Sequence, residues 1–135
     1  PDADAGCPMA DMITAGQLRD LKQQHPGAPV AAYVNTNADV KAETTVCCTS
    51  SNAVRVVQAL NDAEEIIFVP DRYLGEFVRR RVRRSMVLWD GFCPVHAAIR
   101  RETVEAAKQK HPRAEVMVHP ECRPEVQDAA DHILS

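Results

Sequence analysis

The sequence predicts an α/β fold made of repeated small three-layer units with parallel sheets. Short apolar runs such as Val30-Ala31-Ala32-Tyr33-Val34 and Ile66-Ile67-Phe68-Val69 are continuous rather than alternating. That pattern belongs to strands covered on both faces, and parallel sheets are built from such strands. Segments with apolar residues at helical spacing lie between the runs, giving the strand–helix alternation of α/β folds. Stretches of the chain also recur in register.

Thr14 is placed to cap a helix reaching about Gln24, with Leu18 and Leu21 on one face, and His25-Pro26-Gly27 stops it. Val30 to Val34 follows as a buried strand. Asn37 to Glu43 reads as a short helix and Thr45 to Cys48 as a strand. Ser50 or Ser51 would cap a helix carrying Val54, Val57 and Leu60. The strand Ile66 to Val69 ends at Pro70, and Asp71 caps a basic helix read over Phe77 to Arg84. Met86 to Trp89 is a strand, Arg101 to Lys110 a helix, Glu115 to Val118 a strand and Pro124 to Asp131 a helix.

The 135 residues, 14.9 kDa, fit about one ordinary domain. With 45% hydrophobic and 26% charged residues, extensive disorder is excluded. The net charge of −3 opposes a general electrostatic grip on nucleic acid. Arg79-Arg80-Arg81 and Arg83-Arg84 have no interleaved aromatics and read as a solvated helix face. No apolar run approaches the ~18–20 residues of a membrane span. No charged segment followed by an apolar one opens the chain in the manner of a secretion signal. The expected setting is cytoplasmic, with neither nucleic-acid nor membrane partners. Pro1 opens the chain without an initiator Met, and Asp131 to Ser135 reads as a helix exit running into a strand. A piece of a longer polypeptide is therefore expected.

Cys7, Cys47, Cys48, Cys93 and Cys122 are odd in number and widely spaced, which argues against a disulfide framework. They form no CxxC pair and no zinc-finger spacing. A metal would need single ligands brought together by the fold. Cys47-Cys48, in an apolar run, reads as buried hydrophobe.

A shift of 86 residues lays Cys7-Pro8 on Cys93-Pro94, Ile13 on Ile99, Lys22-Gln23 on Lys108-Gln109, and His25-Pro26 on His111-Pro112. Each cysteine stands 18 residues before its His-Pro. The chain is accordingly divided into a complete unit over 1–86 and the first half of a second over 87–135. Tyr33 and Asn35 correspond to His119 and Glu121, and Thr49 to Ser135. The polar residues vary while the frame persists, as two copies of a scaffold facing one site would require.

Six strings, in order and from end to end, resemble quinolinate synthase. They are Ala5-Gly6-Cys7-Pro8-Met9-Ala10-Asp11-Met12, His25 to Thr36, Val46 to Val54, Pro70-Asp71-Arg72-Tyr73-Leu74-Gly75, Trp89 to His96, and His119 to Val126. The resemblance implies a transferase of NAD biosynthesis that condenses iminoaspartate with dihydroxyacetone phosphate to quinolinate, releasing phosphate and water. It implies three similar domains related by pseudo-threefold symmetry around a [4Fe–4S] cluster, with one cysteine from each. An aspartate-oxidising enzyme is the implied functional partner.

Carried over residue by residue, Cys7 and Cys93 are implied cluster ligands. Tyr33, Glu121 and His119 are implied catalytic residues. Tyr33, Asn35, Ser50, His96, His119, Glu121 and Ser135 are implied substrate contacts. Glu121 is the expected general base. Ser50, read at a helix N-terminus, suits an anionic group. His25, His111 and His132 are expected to be structural. The family's N-terminal part and its third cluster cysteine are missing here, so activity is expected only in a full-length chain. Two other readings stay open: a non-catalytic α/β ligand-binding module without a cluster, and a thiol-redox or zinc protein using Cys47-Cys48.

Overall fold

The computed structural model describes residues 5–135. Helix α1 (Ala15–Gln24) begins with the capping box its sequence foretells. Gln17 N–H donates to Thr14 Oγ1 and Thr14 N–H to Gln17 Oε1. Such a cap is worth about 1 kcal/mol. Gly27, at φ +84°, makes the left-handed turn that follows.

Strand β1 (Val30–Tyr33) leads through α2 (Ala38–Lys41) to β2 (Val46–Cys48), and α3 (Ala53–Ala59) leads to β3 (Glu65–Val69). Helix α4 (Arg72–Val82) returns the chain to β4 (Ser85–Leu88). The four strands form a parallel sheet in the order β2-β1-β3-β4. On one face Ala31, Tyr33, Ile66 and Phe68 pack against Val57 of α3 and Leu74 of α4. On the other, Val30, Ala32, Ile67 and Val69 pack against Leu18 of α1 and Val40 of α2. These are three layers with two cores. Full burial of each larger apolar side chain contributes about 1.5–3 kcal/mol.

Three details depart from the sequence reading. Helix α4 starts at Arg72 rather than Phe77, because Asp71 Oδ1 accepts the Leu74 N–H at 2.7 Å. Its first turns carry the buried residues Tyr73, Leu74 and Gly75. A Cβ on Gly75 would stand 2.7 Å from Leu88 Cδ2, so the glycine lets α4 lie close on the sheet. Neither Ser50 nor Ser51 caps α3. The cap position is Asn52, whose Oδ1 turns back to accept the Thr49 N–H at 2.7 Å. Cys48 is buried but Cys47 is exposed, since β2 is an edge strand.

Beyond β4 come α5 (Pro94–Ala97), α6 (Arg101–Lys110), β5 (Met117–Val118), α7 (Pro124–Ala129) and β6 (His132–Ile133). The short α5, and a 3-10 turn at Ala10–Met12, have no counterpart in the sequence reading. Strand β5 also begins later than Glu115. Strands β5 and β6 pair in parallel as a separate two-stranded sheet.

The 86-residue correspondence extends to the hydrogen bonds. His25 N–H reaches Leu21 O, and His111 N–H reaches Ala107 O. Lys22 Nζ donates to Glu43 O at 2.9 Å, and Lys108 Nζ to Ala129 O at 3.0 Å. Ala31 pairs with Val46, and Met117 with His132. No helix among the described residues is long and apolar enough to cross a membrane.

Candidate functional site

All the parallel strands point their carboxyl ends the same way within each sheet, and ligands of α/β folds bind beyond such ends. Tyr33 closes β1 and Asn35 lies just past it. Ser50 follows β2, Cys93 and His96 follow β4, His119 and Glu121 follow β5, and Ser135 follows β6. Cys93 directly precedes α5, whose single turn carries His96.

Glu121 is only 2% exposed, and its carboxylate is the centre of the group. Oε2 lies 2.8 Å from His96 Nδ1 and 3.9 Å from His119 Nδ1. The two imidazoles stack, with centroids 4.7 Å apart and planes at 17°. Glu121 N–H donates to His119 Nδ1 at 3.3 Å, which leaves the proton of a neutral His119 on Nε2. Burial holds His119 below its ordinary pKa, opposed by the Glu121 charge and helped by His96. Glu121 Oε1 is buried and has no hydrogen-bond partner among the described residues. A buried carboxylate oxygen without a partner is costly, so a further donor is called for there.

The Tyr33 hydroxyl accepts from Asn35 Nδ2 at 2.9 Å. Burial raises its pKa above that of a free phenol, and the neighbouring Glu121 carboxylate raises it further against the pull of Ser50. Ser50 Oγ meets Ser135 Oγ, joining the ends of β2 and β6. A cavity of about 230 Å³ beside the two serines is also lined by Phe77, Arg81 and Pro120. The fold thus brings together Tyr33, Asn35, Ser50, Ser135, His96, His119, Glu121 and Cys93. Among the described residues no side-chain bond ties Cys7 to this group.

Sequence reasoning missed two members. Asp71, foreseen only as a helix cap, is fully buried, and its second oxygen accepts the Cys93 N–H at 3.0 Å. Burial pushes its carboxyl up to about 7 against the Leu74 and Cys93 N–H groups, with Glu121 adding to the rise. Cys122, fully buried beside Glu121 in the chain, packs with Val104 of α6 and Val126 of α7, and Gln127 Nε2 donates to its carbonyl at 2.7 Å. No spacing rule marks either residue, because the contacts join separate segments.

The thiol donors can be tested against an iron–sulfur group. Cys7 and Cys47 are exposed and Cys93 half-buried, whereas Cys48 and Cys122 are enclosed. Cys7 and Cys93 each open the same backbone turn. Asp11 N–H donates to Cys7 O, and Ala97 N–H to Cys93 O. Burial raises the pKa of the Cys93 thiol, and the backbone N–H groups of His96 and Val95 oppose that rise. Cysteine thiolates are the ligands such clusters take, so Cys7 and Cys93 suit the group by donor chemistry without completing its ligand set. Donor atoms of Cys93, His96 and Glu121 also lie within 4.8 Å of one another, close enough to share one ion.

Comparison with known proteins places this geometry in a family. The profile of the quinolinate synthetase A protein matches residues 1–135. The chain is 52% identical over its full length to a quinolinate synthase of Dehalococcoides mccartyi (strain CBDB1). It is 50% identical to one from Geobacter sp. (strain M21) and 53% identical to one from Methanoregula boonei. It spans 44% of the length of each of these curated relatives. The chain belongs to the quinolinate synthetase A family.

Proposed function

We propose that the chain is the central part of a quinolinate synthase, an enzyme that condenses iminoaspartate with dihydroxyacetone phosphate to quinolinate, releasing phosphate and water. The observation that carries the proposal is the buried Glu121 carboxylate with a free oxygen, set between stacked imidazoles and Tyr33 beside the Cys93 thiol. Residues 1–86 form the complete unit and 87–135 the first half of the next, as the recurring hydrogen bonds suggest.

Cys7 and Cys93 would hold a [4Fe–4S] cluster together with a third cysteine outside this chain. Such a cluster, held by three thiolates, would supply Lewis acidity toward a substrate oxygen. The protein's own groups move the protons. Glu121 acts as general base in the tautomerisation and dehydration steps, taking its proton on Oε1. His119, held neutral, binds substrate through Nε2–H, while His96, its Nδ1 2.8 Å from Oε2, binds substrate beside the carboxylate. Tyr33 keeps its proton at neutral pH and so acts as a hydrogen-bond donor, oriented by Asn35. Ser50 and Ser135 bind a carboxylate or phosphate of the substrate. The full-length chain works in the cytoplasm, beside an aspartate-oxidising enzyme that supplies iminoaspartate.

The test is anaerobic purification of the full-length protein, with Cys93→Ala as control. About four iron and four sulfide per chain, lost in the control, together with quinolinate formation, support the proposal. Absence of iron and of quinolinate from the unaltered protein would leave a ligand-binding module without a cluster.

A further inference from the structure

We infer that Asp71 is the positioning residue for Cys93, its carboxylate tying the loop that carries this thiol to the start of α4. The inference rests on the proposed cluster role of Cys93. Both Asp71 oxygens accept main-chain N–H groups: Oδ1 from Leu74 at 2.7 Å and Oδ2 from Cys93 at 3.0 Å. Capping alone needs one acceptor, which Ser, Thr or Asn supplies. A fully buried carboxylate is costly, so its place is explained by a point where two acceptors are needed at once.

The surrounding contacts hold the same loop. Arg72 N–H donates to Gly91 O at 2.8 Å, and Phe92 N–H reaches Met12 Sδ at 3.4 Å. Trp89 Nε1–H donates to Met12 O at 2.9 Å, which joins the Cys93 loop to the turn that follows Cys7. Cys93 itself begins α5 without a side-chain cap bond, so the direction of its backbone depends on its N–H. Asp71 is the only charged partner in this set.

The experiment uses the full-length protein, reconstituted anaerobically, with Asp71→Asn and Asp71→Ser. Asn keeps the size and an oxygen for Leu74, but its amide hydrogens face the Cys93 N–H. Ser keeps a capping oxygen too short to serve both groups. Three quantities are read: the rate of iron loss to a chelator, the electron paramagnetic resonance spectrum of the reduced cluster, and the melting temperature. Partners of this kind change metal affinity by about 10–100-fold, so iron loss at least about tenfold faster, with an altered spectrum, is expected in both variants. A lowered melting temperature with unchanged iron loss and spectrum would mean that Asp71 is only a cap, and the inference falls. An unaltered protein that holds no iron removes the cluster reading and this inference with it; iron in that protein isolates the question of Asp71. If neither variant folds, amide exchange of Cys93 in the unaltered protein decides. Protection like that of the α4 interior supports the tie, and free exchange overturns it.

Discussion

Replacing Glu121 by Gln isolates the carboxylate's charge from its shape. The side chain is 2% exposed, so Gln fills the same space without opening a cavity. Its amide oxygen can remain near His96 Nδ1, where Oε2 now stands at 2.8 Å. What disappears is the proton-accepting power of Oε1, the oxygen left free for substrate. General base catalysis contributes about 10²–10⁴-fold. At about 1.36 kcal/mol per tenfold, Glu121→Gln should raise the barrier by about 3–5 kcal/mol.

The assay is quinolinate formation by the full-length enzyme at saturating substrate, with KM and melting temperature measured in parallel. The expected result is a kcat about a hundredfold or more lower, with KM and cluster content near the parent's. A structural role would show differently: breaking a buried charged network costs about 3–5 kcal/mol of stability, which appears in the melting temperature. Glu121→Asp keeps a base but withdraws it by one methylene, and should recover part of the activity. A Glu121→Gln enzyme within about tenfold of the parent kcat would refute the assignment of Glu121 as the base.

The Tyr33 phenol, raised by burial and by Glu121, binds its proton more tightly folded than unfolded. The stability linked to it is full below the unfolded pKa of about 10 and falls as pH rises through that value; phenolate absorbance against a Tyr33→Phe control should show Tyr33 silent there, and a Tyr33 phenolate signal near that pH would refute it. Gly91→Ala would drive a Cβ into the Pro70 carbonyl, which is backbone and cannot step aside, so a loss of about 2 kcal/mol or more in denaturant unfolding is expected, and an unchanged midpoint would refute it. Asp131→Thr should cost less than about 1 kcal/mol, because Thr45 already accepts the corresponding Val30 N–H and the exposed Lys108 pair contributes little.

Much of the fold was legible because it rests on local signals. The Thr14 capping box, the Gly27 turn and the apolar runs of β1 and β3 each declare themselves within a few residues. The errors came where tertiary contact outweighs local preference. Asp71 caps α4 as the sequence reading had it, but the helix begins five residues before Phe77, where Gly75 fits against Leu88, a contact not visible as periodicity. Cys47 is exposed because β2 lies at a sheet edge, and strand order is not written in a three-residue run. The site residues were named by resemblance. Their meeting is a property of the fold, since the Tyr33–Glu121 and Ser50–Ser135 approaches cross 85 residues or more of sequence.

The two copies of the corner show which positions are frame and which are chemistry. Val30 N–H is taken by a hydroxyl, Thr45 Oγ1, and Val116 N–H by a carboxylate, Asp131 Oδ2. The bond survives a change of residue, so the position serves the turn. At the strand ends the side chains change chemistry instead: Asn35 Nδ2 donates to the Tyr33 hydroxyl in one copy, and Glu121 N–H to the His119 imidazole in the other. The Tyr33 hydroxyl of one copy is held protonated by burial, and the Glu121 carboxylate of the other raises its pKa further. A donor and an acceptor of protons can be placed side by side in this way only if the repeated positions diverge, and on the proposed division into two units that divergence, on a frame kept constant, would give them one asymmetric site.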